Sequence, residues 1–283
     1  MFIKVAVDEI EPTAMMFLRL VLALAVLVPV LFAVVGARRA VAEVRALGRG
    51  AFVVGLLNMS VPFVLIAWGE KHIDSGIAAI ANASVPIFVA LLALRFNPGE
   101  RVGGLRLAGV LVGFAGVGVL TGLHPEGGWW AIAGTLAVVA ASLSYAASNH
   151  YVQHRFALTA PLVLTTASCA AGALILLPFA AVQLPDERPS WEALASVAAL
   201  GILGTAIALL FFFRMLSSYG ATRASLVTYL LPPTALIYGA LILDEPVTLN
   251  ALLGLTLILA GVALGSGLFR LARREPLPAT PRP

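Results

Sequence analysis

The chain is short of charge and of cysteine. Only 11% of its 283 residues are charged and 60% are hydrophobic, with a mean hydropathy of +0.99, whereas about 25% of the residues in soluble domains are charged. A soluble core cannot bury so much apolar side chain, so a soluble globular fold is excluded. The single cysteine, Cys169, excludes an intrachain disulfide and a Cys-x-x-Cys centre.

Catalytic signatures are also missing. The sequence has no His-Glu-x-x-His, no Gly-x-Ser-x-Gly and no Gly-x-x-x-x-Gly-Lys motif, and its four histidines are scattered. We therefore expect no enzyme activity, no catalytic residue, no metal and no cofactor.

Long apolar runs dominate what is present. A helix needs about 20 apolar residues to cross the hydrocarbon core, and nine runs approach that length. Residues 1–7 form a shorter run that lacks the features of a signal peptide, and we interpret them as the end of a first helix that is truncated at its N-terminus. The nine predicted full spans are 13–35, 50–69, 75–96, 104–122, 129–151, 160–182, 191–214, 220–243 and 248–269.

An internal repeat relates two of these runs. Residues 100–122 and 245–267 align without a gap, 145 residues apart, with eight identities among 23 positions. Each copy begins with a glutamate, Glu100 or Glu245, which is expected to cap the N-terminus of the next span. The glycines that follow predict close helix packing at Gly109/Gly113, Gly118/Gly122 and Gly261/Gly265.

Basic residues lie almost entirely in one set of connections. That set, which includes the C-terminal tail, holds 14 Lys and Arg against two in the opposite set, and the acids are distributed three to 11. Because cytoplasmic loops carry the excess of Lys and Arg, we expect the tail to be cytoplasmic. The net charge of +4 reflects this asymmetry and indicates no nucleic-acid partner.

This orientation places Glu100 and Glu245 on opposite sides of the membrane, so the two copies are inverted. The predicted fold is an all-α polytopic membrane protein, a ten-helix inverted repeat (5+5) seen here as nine full spans and a partial first helix. Residues 1–122 form the first repeat, 123–270 the second, and 271–283 a disordered cytoplasmic tail. Inverted repeats are typical of transporters whose substrate site lies near the midplane.

Several stretches carry a family resemblance. Residues 75–86 (SGIAAIANASVP) with 98–101 and 113–117, and residues 221–232 (ATRASLVTYLLP) with 244–246 and 259–262, resemble the paired EamA domains of the drug/metabolite transporter superfamily. The resemblance covers almost the whole chain, except that the family's opening Trp-Gly-Ser-like segment is absent. It implies export of amino acids, other metabolites or drugs across the bacterial inner membrane, around a cavity lined by spans one, three, four, six, eight and nine.

Polar residues cluster with prolines in several spans. Proline removes a backbone donor, which membranes tolerate where neighbouring groups or a wet cavity satisfy the freed carbonyl. The polar residues either line such a cavity or form hydrogen bonds between helices. The predicted substrate-cavity residues are Lys4, Asn58, Ser60, Trp68, Asn82, Ser84, Ser142, Tyr145, Asn149, Thr228 and Tyr229. The predicted helix-kink prolines are Pro62, Pro86, Pro232 and Pro233.

Some of these assignments have alternatives. Lys4 attracts a substrate carboxylate or snorkels to the headgroups, and Trp68 stacks on substrate or belongs to the interfacial aromatic belt. Arg19 is expected to pair with Glu9, Glu11 or a carbonyl. No carboxylate lies at the centre of a full span, which favours facilitated export over a proton relay.

The predicted function is therefore export of small metabolites, with amino acids or their derivatives first, by alternating access. A multidrug or broad metabolite exporter is the alternative, and a non-transporting membrane subunit or an intramembrane enzyme a more distant one. The expected partners are a small-molecule substrate and the lipid bilayer, with a homodimer as one candidate assembly.

Overall fold

The computed structural model describes residues 2–96, 104–121, 128–183, 188–215, 218 and 231–265. All regular secondary structure in these ranges is helical, which confirms the predicted all-α fold. The helices are α1 (Phe2–Val7), α2 (Pro12–Val35), α3 (Ala37–Leu47), α4 (Arg49–Glu70), α5 (Ser75–Asn82), α6 (Val85–Phe96), α7 (Gly104–Thr121), α8 (Gly128–Arg155), α9 (Pro161–Val182), α10 (Trp191–Met215), α11 (Leu231–Ile242) and α12 (Leu249–Gly265).

Among the described residues, five helices are long and apolar enough to cross a membrane: α2, α4, α8, α9 and α10. They match five of the nine predicted spans. The other four spans fall on shorter apolar helices, and the span at 220–243 is described only from Leu231 onward. The predicted connection after α2 contains the amphipathic helix α3, which buries Ala40 and Leu47 and exposes its arginines.

The predicted span 75–96 is two helices, because the chain turns at Ala83 and Ser84 between α5 and α6. Pro86 has no N–H for the carbonyl of Asn82, four residues earlier. The Ser84 hydroxyl donates to the carbonyl of Ala81 (2.7 Å), and the Ser142 hydroxyl of α8 lies 3.4 Å from the same oxygen. Serine hydroxyls therefore take the place that water would have at a break in a soluble protein.

Two membrane-length helices each contain a π-helical stretch, Gly55–Ser60 in α4 and Ala199–Ile207 in α10. In each, a hydroxyl donates to the carbonyl five residues earlier: Ser60 to Gly55 (3.2 Å) and Thr205 to Leu200 (2.8 Å). Since wide turns of this kind are frequently found at functional sites, their presence at matching places in the two halves points to the space between the halves.

Helices α7 and α12, which carry the aligned repeat, pack backbone to backbone. A Cβ added to Gly116 would lie 2.8 Å from the Ile258 nitrogen, and one added to Gly261 would lie 2.5 Å from the Gly113 nitrogen. Gly116 aligns with Gly261 and Gly113 with Ile258, so the two contacts exchange under the repeat. The two-fold axis that relates the repeats therefore passes between α7 and α12.

A second pair of contacts obeys the same relation. Gly55 of α4 would place a Cβ 2.9 Å from the Ser168 carbonyl of α9, and Gly201 of α10 would place one 2.8 Å from the Arg19 carbonyl of α2. The glycines are 146 residues apart, and Arg19 and Ser168 are 149 apart. The same spacing of 149 separates two pairs of prolines in α2 and α9: Pro12 and Pro161, Pro29 and Pro178.

The glycine contact between α7 and α12 predicts a large effect of one methyl group. We expect Gly261→Ala to destabilise the protein by about 1–3 kcal/mol, because the added Cβ must push apart two backbones. Gly118→Ala is the matched control, since its Cβ would meet nothing within 4 Å and alanine favours a helix by about 0.5–1 kcal/mol. Thermal unfolding in detergent measures both; equal melting temperatures for the two variants would contradict this packing.

Candidate functional site

A cavity of about 670 Å³ lies between α1, α2, α4, α5, α8 and α11, within the range of small-molecule sites, about 300–1,000 Å³. Its walls are mostly apolar and include Phe2, Phe63 and Ile66. The polar lining residues are Arg19, Glu70, Ser75, Asn82, Tyr145, Thr234 and Tyr238.

Arg19 is held against one wall of this cavity. Its Cζ lies 3.9 Å from the centroid of the Phe63 ring, and its Nε donates to Thr205 Oγ1 at 2.8 Å. The planar guanidinium thus gains a cation–π contact and a hydrogen bond that fix its orientation. Thr205 belongs to the π-helical stretch of α10, so a residue of the second repeat orients a cation of the first.

The acids expected to pair with Arg19 have other partners. Glu11 accepts from Lys71 Nζ at 2.9 Å, and Glu9 accepts from the Ser190 hydroxyl and backbone N–H, each at 2.6 Å. The hydrogen bond from the Ser190 side chain, with that from its backbone, lowers the pKa of Glu9. The expected pairing of Arg19 with Glu9 or Glu11 is therefore wrong, and no described carboxylate forms an ion pair with its guanidinium.

Glu70 brings a buried carboxylate to the same cavity. It is the last residue of α4 and only 5% exposed, and its Oε2 has no hydrogen-bond partner. Its electrostatic neighbours include Glu245, Lys4 and Arg19, but the structure forms no ion pair between Glu70 and either cation. Such a group is rare in proteins because burying a charge without a partner is costly.

Lys4 forms no ion pair with the Glu70 side chain. Its Nζ donates to the backbone carbonyls of Glu70 (2.8 Å) and Ile73 (3.1 Å), where a cation complements the C-terminal end of α4. Lys4 therefore joins α1 to α4.

Glu245 caps a helix, but a different one from the helix expected. Its Oε1 accepts from the Ser75 hydroxyl (2.6 Å) and backbone N–H (2.8 Å), and Oε2 accepts from the Gly76 N–H (3.2 Å). Asp244 precedes it with φ of 52°. The next span, α12, is capped instead by Thr248, whose Oγ1 accepts from the Ala251 N–H. Glu245 thus ties the second repeat to α5, while Glu100 lies outside the described residues.

The structure places only part of the predicted cavity set together. Asn82 and Tyr145 line the cavity just described. Ser142 lies beside Asn82, with its Oγ 3.3 Å from Asn82 Oδ1, and Ser84 bonds the helix break. Thr228 and Tyr229 lie outside the described residues.

The remaining polar residues of the set lie elsewhere. Trp68 is in an edge-to-face contact with His72 (4.7 Å between ring centroids), which stacks on Trp130 at 5.1 Å. Ser60 is buried and donates to carbonyls of α4 and α9. Asn58 and Asn149 line a second cavity of about 630 Å³.

The four prolines of the predicted set stand near helix starts or breaks. Pro62 follows the π-helical stretch of α4, Pro86 is the second residue of α6, and Pro232 and Pro233 are the second and third described residues of α11. Pro62 and Pro86 thus stand directly after irregular backbone, where a missing N–H is least costly.

The second cavity corresponds to the first under the two-fold relation. It lies between α4, α8, α9 and α10. Leu209 and Phe212 line it where Phe63 and Ile66, 146 residues earlier, line the first, and Ser168 occupies the place of Arg19. No charged residue is among the described groups that line the second cavity. The two cavities are therefore similar in position but different in charge.

Glu70 is absent from the residues predicted for the cavity, and so is Arg19. The signal was present for Arg19, an ionisable residue inside a span, which is a functional-site candidate by default. Glu70 stands at the end of an apolar run, where the sequence alone indicates an acidic residue of a connecting loop. For metals, the described ranges bring together no three His, Cys, Asp or Glu side chains in a metal-binding group.

The helices, the cavity between two inverted halves and the paired π-helical stretches define a polytopic membrane transporter. The EamA-like transporter family matches residues 1–122 and 132–267, and the chain belongs to this family.

Curated relatives agree with this assignment. The chain is similar to an uncharacterized transporter of Bacillus subtilis, YoaV (25% identity, 96% of this chain and 92% of the relative), and to one of Archaeoglobus fulgidus (28%, 75% of each chain). A probable terminal-alkyne amino-acid exporter of Streptantibioticus cattleyicolor is 32% identical over 74% of this chain and 70% of its own. One crystal structure shares the fold, with a TM-score of 0.65 and 21% identity over 95% of this chain and 92% of that one.

The contact between Glu245 and Ser75 predicts energetic coupling between the repeats. We expect Glu245→Ala to destabilise the protein by about 0.5–2 kcal/mol, as for loss of a helix cap. A double-mutant cycle with Ser75→Ala should give a coupling of at least about 0.5 kcal/mol. Glu43→Ala is the control, because Glu43 forms an exposed ion pair with Arg39. Additive effects in denaturant unfolding would contradict the direct contact.

Proposed function

We propose that this protein exports small zwitterionic metabolites, with amino acids and their close derivatives as the leading substrates, by alternating access. The observation that carries the proposal is that Arg19 and Glu70 line one cavity without pairing with each other. An α-amino acid offers a carboxylate to the Arg19 guanidinium and an ammonium group to the Glu70 carboxylate. With such a substrate bound, neither charged side chain of the cavity is unpaired.

The hydrogen-bonding geometry supports a carboxylate ligand at Arg19. Thr205 holds Nε and Phe63 covers one face of the guanidinium, so the group is positioned before substrate arrives. A guanidinium presents its donors as a planar fork that matches a carboxylate. Preorganisation of this kind lowers the ordering cost of binding.

The rest of the cavity suits an apolar side chain. Besides Arg19 and Glu70, the cavity is lined by apolar and aromatic side chains, among them Phe2, Ile66, Tyr238 and Ile242. Its volume leaves room for a medium-sized substrate. The probable amino-acid exporter among the relatives supports this substrate class.

Transport follows from the two related cavities. We propose that the first cavity, which contains Glu70, opens outward and that the second, which contains Asn58, opens to the cytoplasm. The charge distribution of the connections favours this orientation. On this orientation the protein lies in the inner membrane with a cytoplasmic C-terminus, and rocking of the two halves exposes the site to each side in turn.

A multidrug exporter is the second candidate. The aromatic residues Phe2, Phe63, Tyr145 and Tyr238 line the same cavity as the buried carboxylate, a combination that attracts lipophilic cations. Such a substrate would need Glu70 and would be repelled by Arg19, which separates the two candidates experimentally.

Counterflow in proteoliposomes tests the proposal. We expect saturable exchange of a labelled apolar amino acid such as leucine, inhibited by unlabelled leucine but at least about tenfold less well by isoamylamine, which lacks the carboxylate, and by 4-methylpentanoate, which lacks the ammonium group. Each lost charged hydrogen bond is worth about 1.5–3 kcal/mol. Strong inhibition by isoamylamine or a lipophilic cation alone would favour the multidrug alternative, and no saturable flux of any solute would contradict transport.

Variants of the arginine assign the carboxylate contact. We expect Arg19→Gln to raise the half-saturation concentration for leucine at least about tenfold and to abolish the preference for leucine over isoamylamine. Thr205→Val, which removes only the hydroxyl that orients Arg19, should have a smaller effect in the same direction. Arg39→Gln on the exposed face of α3 is the control. An unchanged preference in Arg19→Gln would overturn the role of Arg19.

A further inference from the structure

We propose that Glu70 couples transport to protons: it binds the ammonium group of the substrate and a proton in turn, so that one zwitterion leaves for each proton that enters. This inference rests on the proposed function and assigns a role to one residue of the same cavity. It replaces the facilitated export that the absence of a mid-span carboxylate favours.

Glu70 is a buried carboxylate with an oxygen that has no hydrogen-bond partner. The residue is 5% exposed, its Oε2 lacks a partner, and it lines the cavity. A buried carboxylate without a partner is satisfied either by a proton or by a cationic ligand. Both use the same oxygen atoms, so the two ligands exclude each other, as an exchange mechanism requires.

The charged groups around Glu70 have other partners, so a proton or the substrate must neutralise its carboxylate. Lys4 of α1 is engaged with two backbone carbonyls, and Glu245, which precedes α12, is engaged with the N-terminus of α5. Arg19 of α2 is stacked on Phe63 and bonded to Thr205. The nearest titratable neighbours in the chain are also committed, because Lys71 pairs with Glu11 and His72 stacks on Trp130.

The uncharged titratable side chains of the cavity are the phenols Tyr145 of α8 and Tyr238 of α11. Arg19, Lys4 and Glu245 are the charged side chains among the described residues that act electrostatically on Glu70. None of these side chains is an ion-pair partner of Glu70.

The charge balance of the cycle follows. In the export step, Glu70 is ionised and paired with the substrate ammonium, while Arg19 is paired with the substrate carboxylate. Outside, the substrate leaves and a proton from the external water binds the Glu70 carboxylate. The neutral carboxyl group returns inward and releases that proton to the cytoplasm. One positive charge enters per zwitterion exported, so a pH gradient and an inside-negative potential both drive export.

The empty, ionised form explains why exchange is obligatory. When neither proton nor substrate is bound, closing the cavity would bury a carboxylate whose Oε2 has no donor, which is strongly unfavourable, whereas the Arg19 guanidinium retains its contacts with Phe63 and Thr205. Conformational exchange is then slow unless one of the two ligands is bound, which prevents uncoupled proton leak.

Proteoliposomes containing wild type, Glu70→Gln or Glu11→Gln test this inference through two readouts. The first is counterflow of labelled leucine at equal pH on both sides, and the second is uphill accumulation driven by an imposed pH gradient. We expect wild type and Glu11→Gln, whose exposed carboxylate pairs with Lys71, to show both. Glu70→Gln should retain counterflow with at least a tenfold higher half-saturation concentration and lose accumulation.

The pH dependence gives a signature that a purely structural role of Glu70 would not produce. Because the proton competes with the ammonium group, the half-saturation concentration of wild type should rise as the pH falls, whereas that of Glu70→Gln should not change. Accumulation by Glu70→Gln equal to that of wild type, or a wild-type half-saturation concentration independent of pH, would overturn the inference.

A measurement on wild type alone covers the case in which Glu70→Gln fails to fold. With a pH-sensitive dye inside the liposomes, a leucine gradient across the membrane should move protons in the direction opposite to leucine. Leucine flux without proton movement would overturn the coupling and leave the proposed function intact. Absence of leucine flux itself would instead contradict the proposed function.

Discussion

The bilayer offers no hydrogen-bond partners to a broken helix, and the rest of this structure depends on how the chain meets that constraint. Hydroxyl groups satisfy the irregular backbone: Ser84 and Ser142 at the break between α5 and α6, and Ser60 and Thr205 in the two π-helical stretches. The irregular segments in turn border the two cavities. Against this background of satisfied groups, the unpartnered Oε2 of Glu70 is an exception that points to a ligand.

Internal two-fold symmetry explains why two cavities exist, and departures from it explain why they differ. The reciprocal contacts of Gly116 and Gly261, and of Gly55 and Gly201, relate the halves. The charged residues do not obey the relation, since the place of Arg19 is taken by Ser168 in the other half. A symmetric scaffold therefore supports the motion, and asymmetric side chains supply recognition.

Sequence analysis predicted the features that repeat or extend over many residues. The apolar runs predicted the all-α membrane fold, and the glycine pattern predicted close helix packing at Gly113 and at Gly261, although not that these two residues meet. The close packing predicted at Gly118 is wrong, because a Cβ there would meet nothing within 4 Å. It failed where a contact joins distant segments. Nothing local to Glu245 shows that its carboxylate caps α5 and not α12, and nothing local to Arg19 or Glu70 shows that they share a cavity. The break at Ala83 likewise lies against Ser142 of α8, which is 61 residues from Ala81.

If the two cavities are alternate routes to the site at Arg19 and Glu70, one must close as the other opens, and reciprocal cysteine labelling tests this most directly. The natural Cys169 is buried, and it is replaced by Ser. In that background, a cysteine introduced at Ile66 reports on the first cavity and one at Phe212 on the second. In the variant with both cysteines, a bulky maleimide at position 66 should hold the first cavity open and slow labelling at position 212 at least several-fold, and a maleimide at position 212 should slow labelling at position 66. Labelling at each position that is indifferent to the adduct at the other would contradict the account.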